Sequence, residues 1–253
     1  MIVKKIIPCL DVKDGQVVKG INFEGLRQMG DPVEMASNYS DNGADELVLL
    51  DISATTEGRD TMVDVVKRVS EKISIPFAVG GGIKTLDDIS RVLDAGADKV
   101  GINSAAVDRP ELIKEAAQKF GSEKIVAAVD AKQFPDGSWH VMTHGGMKDA
   151  ELDAVQWSKM LEELGAGEIL LTSVDRDGMK DGYDLELTKA IVDAVDIPVT
   201  ASGGCGNADH IVEVFEKTDC ASALAASIFH ENTVSIPEVK KLCRGQGVNV
   251  SDS

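Results

Sequence analysis

Short β-branched and apolar runs alternate along the chain with stretches whose apolar positions recur at helical spacing. This alternation predicts eight strands, each followed by a helix, as in proteins built on a parallel sheet. The predicted strands are 5–11, 46–51, 75–79, 98–102, 124–130, 168–172, 197–201 and 221–226. The predicted helices are 31–43, 60–72, 85–95, 108–119, 151–164, 184–194, 208–216 and 235–244.

The number of these units and the chain length together predict the fold class. Eight βα units within 253 residues fit a closed (β/α)₈ barrel, whose usual length is about 250 residues. An open, doubly wound α/β sheet is the alternative. We therefore expect a single α/β barrel over residues 1–253.

A duplication within the sequence favours the closed barrel. The segment Lys5–Lys13, which contains Asp11, returns half a chain later as Lys124–Lys132, which contains Asp130. The run from Ile75 to Gly82 similarly returns as Ile197 to Gly204. A period this long indicates a duplicated half-domain and not a solenoid of short repeats. The expected half-barrels are about 1–120 and 121–245.

Composition narrows the class of protein. The chain has 43 acidic and 26 basic residues, a net charge of −17, which disfavours nucleic-acid binding. No apolar run is long enough to span a membrane and no leader segment is present, so we expect a cytoplasmic protein. The four cysteines show no ligand spacing and are predicted to be reduced, mostly buried thiols.

The histidines give no sign of a metal site. His140, His144, His210 and His230 lack the spacing of a metal-binding motif. We expect them on the surface or in loops, and we expect neither a metal nor a cofactor.

Two of the predicted connections are long. Residues 12–30, which carry Lys13, Lys19 and Arg27, are interpreted as a flap over the barrel mouth. Residues 131–150 contain a turn sequence between alternating segments and predict a small hairpin. Both connections follow the strands that carry the duplicated aspartates, which favours a functional role.

The duplicated aspartates are the candidate catalytic residues. Barrel active sites lie at the carboxyl ends of the strands. Asp11 ends the first predicted strand and Asp130 the fifth, so the two carboxyl groups are expected to face each other across the mouth. One protonated and one ionised carboxyl group act as acid and base. The alternative is that each aspartate caps a helix or pairs with Lys13 or Lys132.

Glycine clusters predict two phosphate sites. Gly82 lies in a cluster after the third strand, and Asn103 and Ser104 follow the fourth. Glycines here let backbone N–H groups approach an anion. The second half repeats the arrangement with Gly203, Gly204, Ala226 and Ser227. A substrate with a phosphate at each end is expected to stretch across the two aspartates.

Further charged residues lie at both ends of the predicted barrel. Asp51 ends the second strand, and Asp177 follows the sixth, where it either binds substrate hydroxyls or caps a helix. At the opposite end, strand starts carry two cations and two anions. These residues at the floor of the barrel, the end opposite the mouth, are Lys5, Glu46, Lys99 and Glu168. We expect them either to form ordinary ion pairs or to border a passage for a small polar molecule.

These motifs together resemble the cyclase subunit of imidazole glycerol phosphate synthase. The similarity covers residues 1 to about 250. The motifs that carry it are Ile7–Gly15, Val17–Gly20, Gly30–Glu34, Val79–Ile83, Asp98–Val100, Ile102–Ala106, Val129–Lys132, Asp175–Gly178, Gly182–Asp184 and Ala201–Gly204.

The resemblance implies a lyase of histidine biosynthesis. Its substrate would be the bisphosphorylated ribulosyl-formimino aminoimidazole carboxamide ribotide, cleaved and cyclised with ammonia. Asp11 and Asp130 would be the acid and base. A glutaminase partner at the barrel floor would supply ammonia through a gate of Lys5, Glu46, Lys99 and Glu168. Further substrate contacts would come from Lys19, Asp51, Thr172, Asp177 and Gly178.

Two alternative functions remain, and the sequence departs from the family pattern in places. The sister isomerase of the same pathway is also a duplicated barrel, and a non-catalytic bisphosphate-binding barrel belongs to a different class. Met179 replaces a usual threonine, Met147 a usual basic residue, and Ala150-Glu151 a usual Thr-Gly pair.

Overall fold

Eight parallel strands form the inner wall of the molecule in this computed structural model, which describes residues 2–21, 24–52 and 56–252. Neighbouring strands pair around the ring, and the closing pair joins the strands that contain Asp130 and Thr172. The strands are β1 (Lys5–Lys13), β4 (Leu47–Asp51), β5 (Phe77–Gly80), β6 (Lys99–Ile102), β7 (Ile125–Gln133), β10 (Glu168–Ser173), β11 (Val199–Ser202) and β12 (Ser222–Ala225). The predicted (β/α)₈ barrel is therefore confirmed.

Helices follow the strands in the predicted order. The long ones are α1 (Pro32–Asp41), α2 (Thr56–Ser70), α3 (Leu86–Asp94), α5 (Glu111–Phe120), α6 (Ala154–Glu163), α7 (Leu185–Val192), α8 (Ala208–Thr218) and α10 (Ile236–Gly245). Two short helices, α4 (Ser104–Asp108) and α9 (Ser227–His230), begin directly after β6 and β12. The sequence pattern missed both because four or five residues are too few for a helical period to register.

Capping residues fix where several helices begin. Asp31 accepts from two backbone N–H groups of α1, and Pro32 occupies its first turn. Thr85 forms a capping box with Asp88 at the start of α3. These side chains satisfy N–H groups that have no partner inside the helix. The predicted start of the fifth long helix, α6, at residue 151 was wrong, since Asp153 is the cap and 148–153 is a strand.

Two hairpins extend the barrel wall above the mouth. The segment interpreted as a flap forms β2 (Gln16–Ile21) and β3 (Glu24–Gly30), and β2 pairs antiparallel with β1; residues 22–23 lie outside the described part. The predicted second hairpin is confirmed as β8 (Trp139–Thr143) on β7, and β9 (Lys148–Asp153) pairs with β8. Both hairpins thus continue the strands that bear the two aspartates.

The apolar core has two layers. A large cluster fills the space between the barrel and the helices. A smaller cluster lies inside the barrel, made by Ile7, Cys9, Val48, Ala78, Val126, Leu170 and Leu224. Alternate residues of each strand serve the two layers, since strand side chains point to opposite faces. The interior layer separates the mouth from the floor.

Candidate active site

Asp11 and Asp130 lie on opposite sides of the barrel mouth. β1 and β7 are separated by three strands in either direction around the ring. Asp11 lies beside Leu50 of β4, and Asp130 lies beside Thr172 of β10. The ring places the two carboxyl groups face to face, in agreement with the position expected from the duplication.

The carboxyl group of Asp11 is held in a desolvated position near one cation. Burial raises its pKa to about 6, the nearby charge of Asp177 adds to the rise, and the Lys19 ammonium on β2 opposes it. The thiol of Cys9 lies 3.9 Å from Oδ1 of Asp11. A carboxyl group with this pKa both takes up and releases a proton near neutral pH.

The carboxyl group of Asp130 reaches a similar pKa with a different neighbour. Burial raises the pKa to about 6, the hydrogen bond from Asn103 lowers it, and Asp177 raises it again. Nδ2 of Asn103 donates to Oδ2 of Asp130 over 2.9 Å. Because the amide has one acceptor and one donor group, this bond turns its Oδ1 away, and that buried oxygen has no protein partner among the described residues.

Asp177 faces both of these aspartates and does not cap a helix. Its charge raises the pKa of Asp11 and of Asp130. The helix that follows, α7, is capped by Asp184, which accepts from the N–H of Leu187 over 3.0 Å. The capping alternative for Asp177 is therefore wrong.

The first glycine cluster forms a tight turn against β4. Gly81 and Gly82 have φ of 92° and 68°. A Cβ on Gly81 would lie 2.1 Å from the carbonyl oxygen of Asp51, so no other residue fits there. Asp51 thus borders this cluster, and on β4 it pairs in register with Val12, the residue after Asp11. Asn103 precedes α4, and among the described side chains none caps its first turn.

The second glycine cluster is braced by the loop after β10. Gly203 and Gly204 have φ of 94° and 99°. A Cβ on Gly204 would lie 2.0 Å from the carbonyl oxygen of Gly182, whose N–H donates to the carbonyl of Gly204 over 2.8 Å. Gly178, with φ of 77°, lies in the same loop as Asp177. Ala226 precedes α9, and none of the described side chains caps that helix either.

His230 contradicts the expectation that the histidines lie at the surface. It ends α9 and is buried, and its Nδ1 lies 2.6 Å from the hydroxyl of Tyr39 on α1. Burial and the charge of Lys19 lower its pKa to about 4, while a hydrogen bond to the Cys9 backbone opposes the change. The neutral ring therefore accepts from Tyr39 and donates to the Cys9 backbone, which ties α9 to α1 and to the strand of Asp11.

The floor residues are in direct contact. Nζ of Lys99 lies 2.8 Å from Oε1 of Glu46 and 3.0 Å from Oε2 of Glu168. Nζ of Lys5 lies 3.2 Å from Glu46. The pKa of Lys99 is raised by the two carboxylates, although burial acts against the rise. The four charges thus pair and balance across the barrel.

Hydrogen bonds between neighbouring strand starts fix the backbone beside Glu46 and Lys99. The carboxylate of Asp45, next to Glu46, accepts from the N–H of Ile6 over 2.8 Å. Asp98, next to Lys99, accepts from the N–H of Phe77 over 3.0 Å. Each bond fixes one strand start against its neighbour, so the adjacent charged side chain has little freedom in position.

The departures from the family pattern lie in two places, the β8–β9 hairpin and the loop after β10. Met147 and Met179 are exposed. Glu151 adopts a left-handed φ of 57°, which glycine would adopt without strain, and its N–H donates to Asp149 over 2.7 Å. The hydrogen bond offsets part of that strain.

The sequence is similar to proteins of known function along almost its whole length. A profile described as histidine biosynthesis protein matches residues 5–235. The chain belongs to the histidine biosynthesis protein family. The chain is also 57% identical, over 250 residues, to imidazole glycerol phosphate synthase subunit HisF of Bacillus cereus (strain Q1), covering 99% of each sequence. This family assignment agrees with the resemblance carried by the motifs.

The described residues contain neither a cluster of metal-ligating side chains nor a membrane-spanning helix. No group of three or more metal-ligating side chains is clustered in the part of the chain that the structure describes. None of its helices has the length and apolar character needed to cross a membrane. The four cysteines are unpaired, and Cys9, Cys220 and Cys243 are buried.

Proposed function

We propose that this chain is the cyclase subunit of an imidazole glycerol phosphate synthase and acts in the cytoplasm. It would cleave and cyclise the bisphosphorylated ribulosyl-formimino aminoimidazole carboxamide ribotide with ammonia. The products would be imidazole glycerol phosphate, aminoimidazole carboxamide ribotide and one water, which carries away the ketone oxygen that the ammonia nitrogen replaces. Family membership and the near full-length identity to a subunit of that name support the assignment.

The opposed aspartates are the observation that carries the proposal. Cleavage leaves an amine that must take up a proton, and closing the imidazole ring must lose one. Asp11 and Asp130, each with a pKa of about 6, supply one proton donor and one acceptor on opposite sides of the substrate. Burial keeps both pKa values high, and the negative charge of Asp177 adds to the rise because it disfavours ionisation of its neighbours.

The two glycine clusters would hold the substrate by its ends. Gly82 and Ser104 would take one phosphate, and Gly204 and Ser227 the other, with backbone N–H groups as donors. The net charge of −17 repels phosphates at long range, so local donors and Lys19 must provide the attraction. Titration with inorganic phosphate, followed by backbone amide NMR shifts, should perturb both clusters.

An ammonium assay tests the reaction directly. The purified chain is supplied with the bisphosphorylated substrate and an ammonium salt at high pH, where free ammonia is abundant. Cyclised product is expected. Conversion of substrate without a nitrogen donor would instead indicate the sister isomerase, and tight binding without turnover would indicate a non-catalytic binding barrel.

A glutaminase subunit is the proposed partner, docked at the barrel floor. Desolvated ion pairs are rarely the most stable way to close a barrel, and Glu46 and Lys99 form such a pair here. A transfer route for ammonia would explain their presence. Lys99→Ala should then keep most activity with free ammonium and change activity with glutamine plus the glutaminase subunit.

The two activities measured on one variant decide this point. Equal loss of both would indicate damage to the fold, which thermal unfolding would reveal. No change in either would leave the floor charges as ordinary ion pairs.

A further inference from the structure

Thr200 is a fifth polar residue in contact with the charged floor. Its hydroxyl donates to Oε1 of Glu168 over 2.7 Å, while Oε2 of the same carboxylate binds Lys99. Thr200 lies on β11 and is almost fully buried. Nothing in the sequence pattern singled it out, because a threonine in a β-branched run has the composition of an ordinary strand.

The contacts between the floor residues form an open series and not a closed ring. The series runs from Lys5 to Glu46, then through Lys99 and Glu168 to Thr200. The residues at its two ends both lie in register with Ser222 of β12, Lys5 on one side and Thr200 on the other. Among the described residues, no hydrogen bond or ion pair joins these two ends.

The two ends differ in exposure. The Lys5 side chain is 45% exposed, and Glu46 is its one partner among the residues that the structure describes. Thr200 is 1% exposed and its hydroxyl is bonded within the wall. The Lys5 end of these contacts is therefore open to solvent, while the Thr200 end is buried in the barrel wall.

We propose that Thr200 is a positioning residue that holds Glu168 on Lys99 and leaves the floor open only beside β12, between Lys5 and Thr200. The proposal rests on the proposed function, in which ammonia crosses the floor. Without the hydroxyl, Oε1 of Glu168 loses a buried donor. Such an acceptor recruits another partner, because an unsatisfied buried oxygen is costly. Water, an ammonium ion or the Lys5 side chain would fill that role, and each would occupy the passage.

Substitution at this position gives the test. Thr200→Val keeps the branched shape and removes the hydroxyl, and Thr200→Ser keeps the hydroxyl. The measured quantity is the ratio of turnover with glutamine plus glutaminase subunit to turnover with ammonium salt. We expect Thr200→Val to lower this ratio about ten-fold, the order of one lost hydrogen bond to a charged group, and Thr200→Ser to keep it within about two-fold.

A matched control separates position from stability. Thr188 is an equally buried threonine on α7, away from the floor. Thr188→Val should leave the ratio unchanged even if it lowers thermal stability. An unchanged ratio in folded Thr200→Val would overturn the proposal, and so would an equal fall in Thr200→Ser. Absence of ammonium-dependent product from the unsubstituted protein would instead refute the proposed function itself.

Discussion

The two halves of the barrel place the same carboxyl group in two different settings. Asp11, in the first half, lies near the Lys19 ammonium on the hairpin that follows its own strand. Asp130, in the second half, accepts from the Asn103 amide, which lies in the wall of the first half. Both reach a pKa of about 6. The duplication thus gives the two carboxyl groups equivalent positions in the barrel, whereas the residues that surround them differ between the two halves.

The two glycine clusters differ in the same way. α9 is tied to α1 and β1 by His230, whose ring binds Tyr39 and the Cys9 backbone. α4 is tied instead to the turn after β8, since Oγ of Ser104 accepts from the N–H of His144 over 3.2 Å. The short helix beside each cluster is therefore anchored by a polar contact, but to a different part of the molecule in each half.

The largest expected effect tests whether both aspartates are needed. Asp11→Asn and Asp130→Asn keep the shape of the side chain and remove the titrating group. Each should lower turnover by about 10²–10⁴-fold, the usual contribution of general acid–base catalysis. Substrate affinity should change little. Steady-state kinetics with ammonium measure both, and near-normal turnover of either variant would remove that residue from the mechanism.

A second expected effect concerns stability. A folded pKa of about 6 against 3.8 unfolded means that the folded state binds the proton more tightly, so stability falls as pH rises from about 4 to 6. Asp130→Asn removes the charge that causes this loss. It should raise the free energy of unfolding at pH 8 by up to about 3 kcal/mol, and by much less at pH 4. Chemical denaturation at the two pH values measures the difference; an equal gain at both would contradict it.

A third prediction uses ionic strength to distinguish the surroundings of Asp11 from those of Asp130. Lys19→Met should move the pKa of Asp11 upward, because the cation lowers it, and Asn103→Leu should do the same for Asp130. The charge effect is screened by salt, whereas the hydrogen bond is not. Titration of the two carboxyl groups by NMR at low and high salt should show the Lys19 effect shrinking and the Asn103 effect persisting.

The smallest expected effect concerns the anchor of α9. Tyr39→Phe removes one buried hydrogen bond to His230 and should lower stability by about 1 kcal/mol. It should also weaken phosphate binding at Gly204 and Ser227 more than at Gly82 and Ser104. Equal weakening at both clusters in the NMR titration would show that the anchor does not act on its own half.

Sequence reasoning located the aspartates and glycines for a physical reason. A strand end followed by a loop is readable from local pattern, and topology alone then sets Asp11 opposite Asp130. Asp177 shows the limit of this reasoning. Its chain position allowed a cap or a site residue, and only the folded loop showed that Asp184 is the cap.

The amino-acid sequence by itself determined the order of strands and helices, the barrel and the residues placed at its two ends. These depend on periodicity, turn residues and duplication, which are local or repeated signals. Only the tertiary structure decided which partners those residues meet, such as Asn103 at Asp130, Tyr39 at His230 and Thr200 at Glu168. Such contacts join elements far apart in the chain, and the distances and burial that set a pKa exist only after the ring has closed.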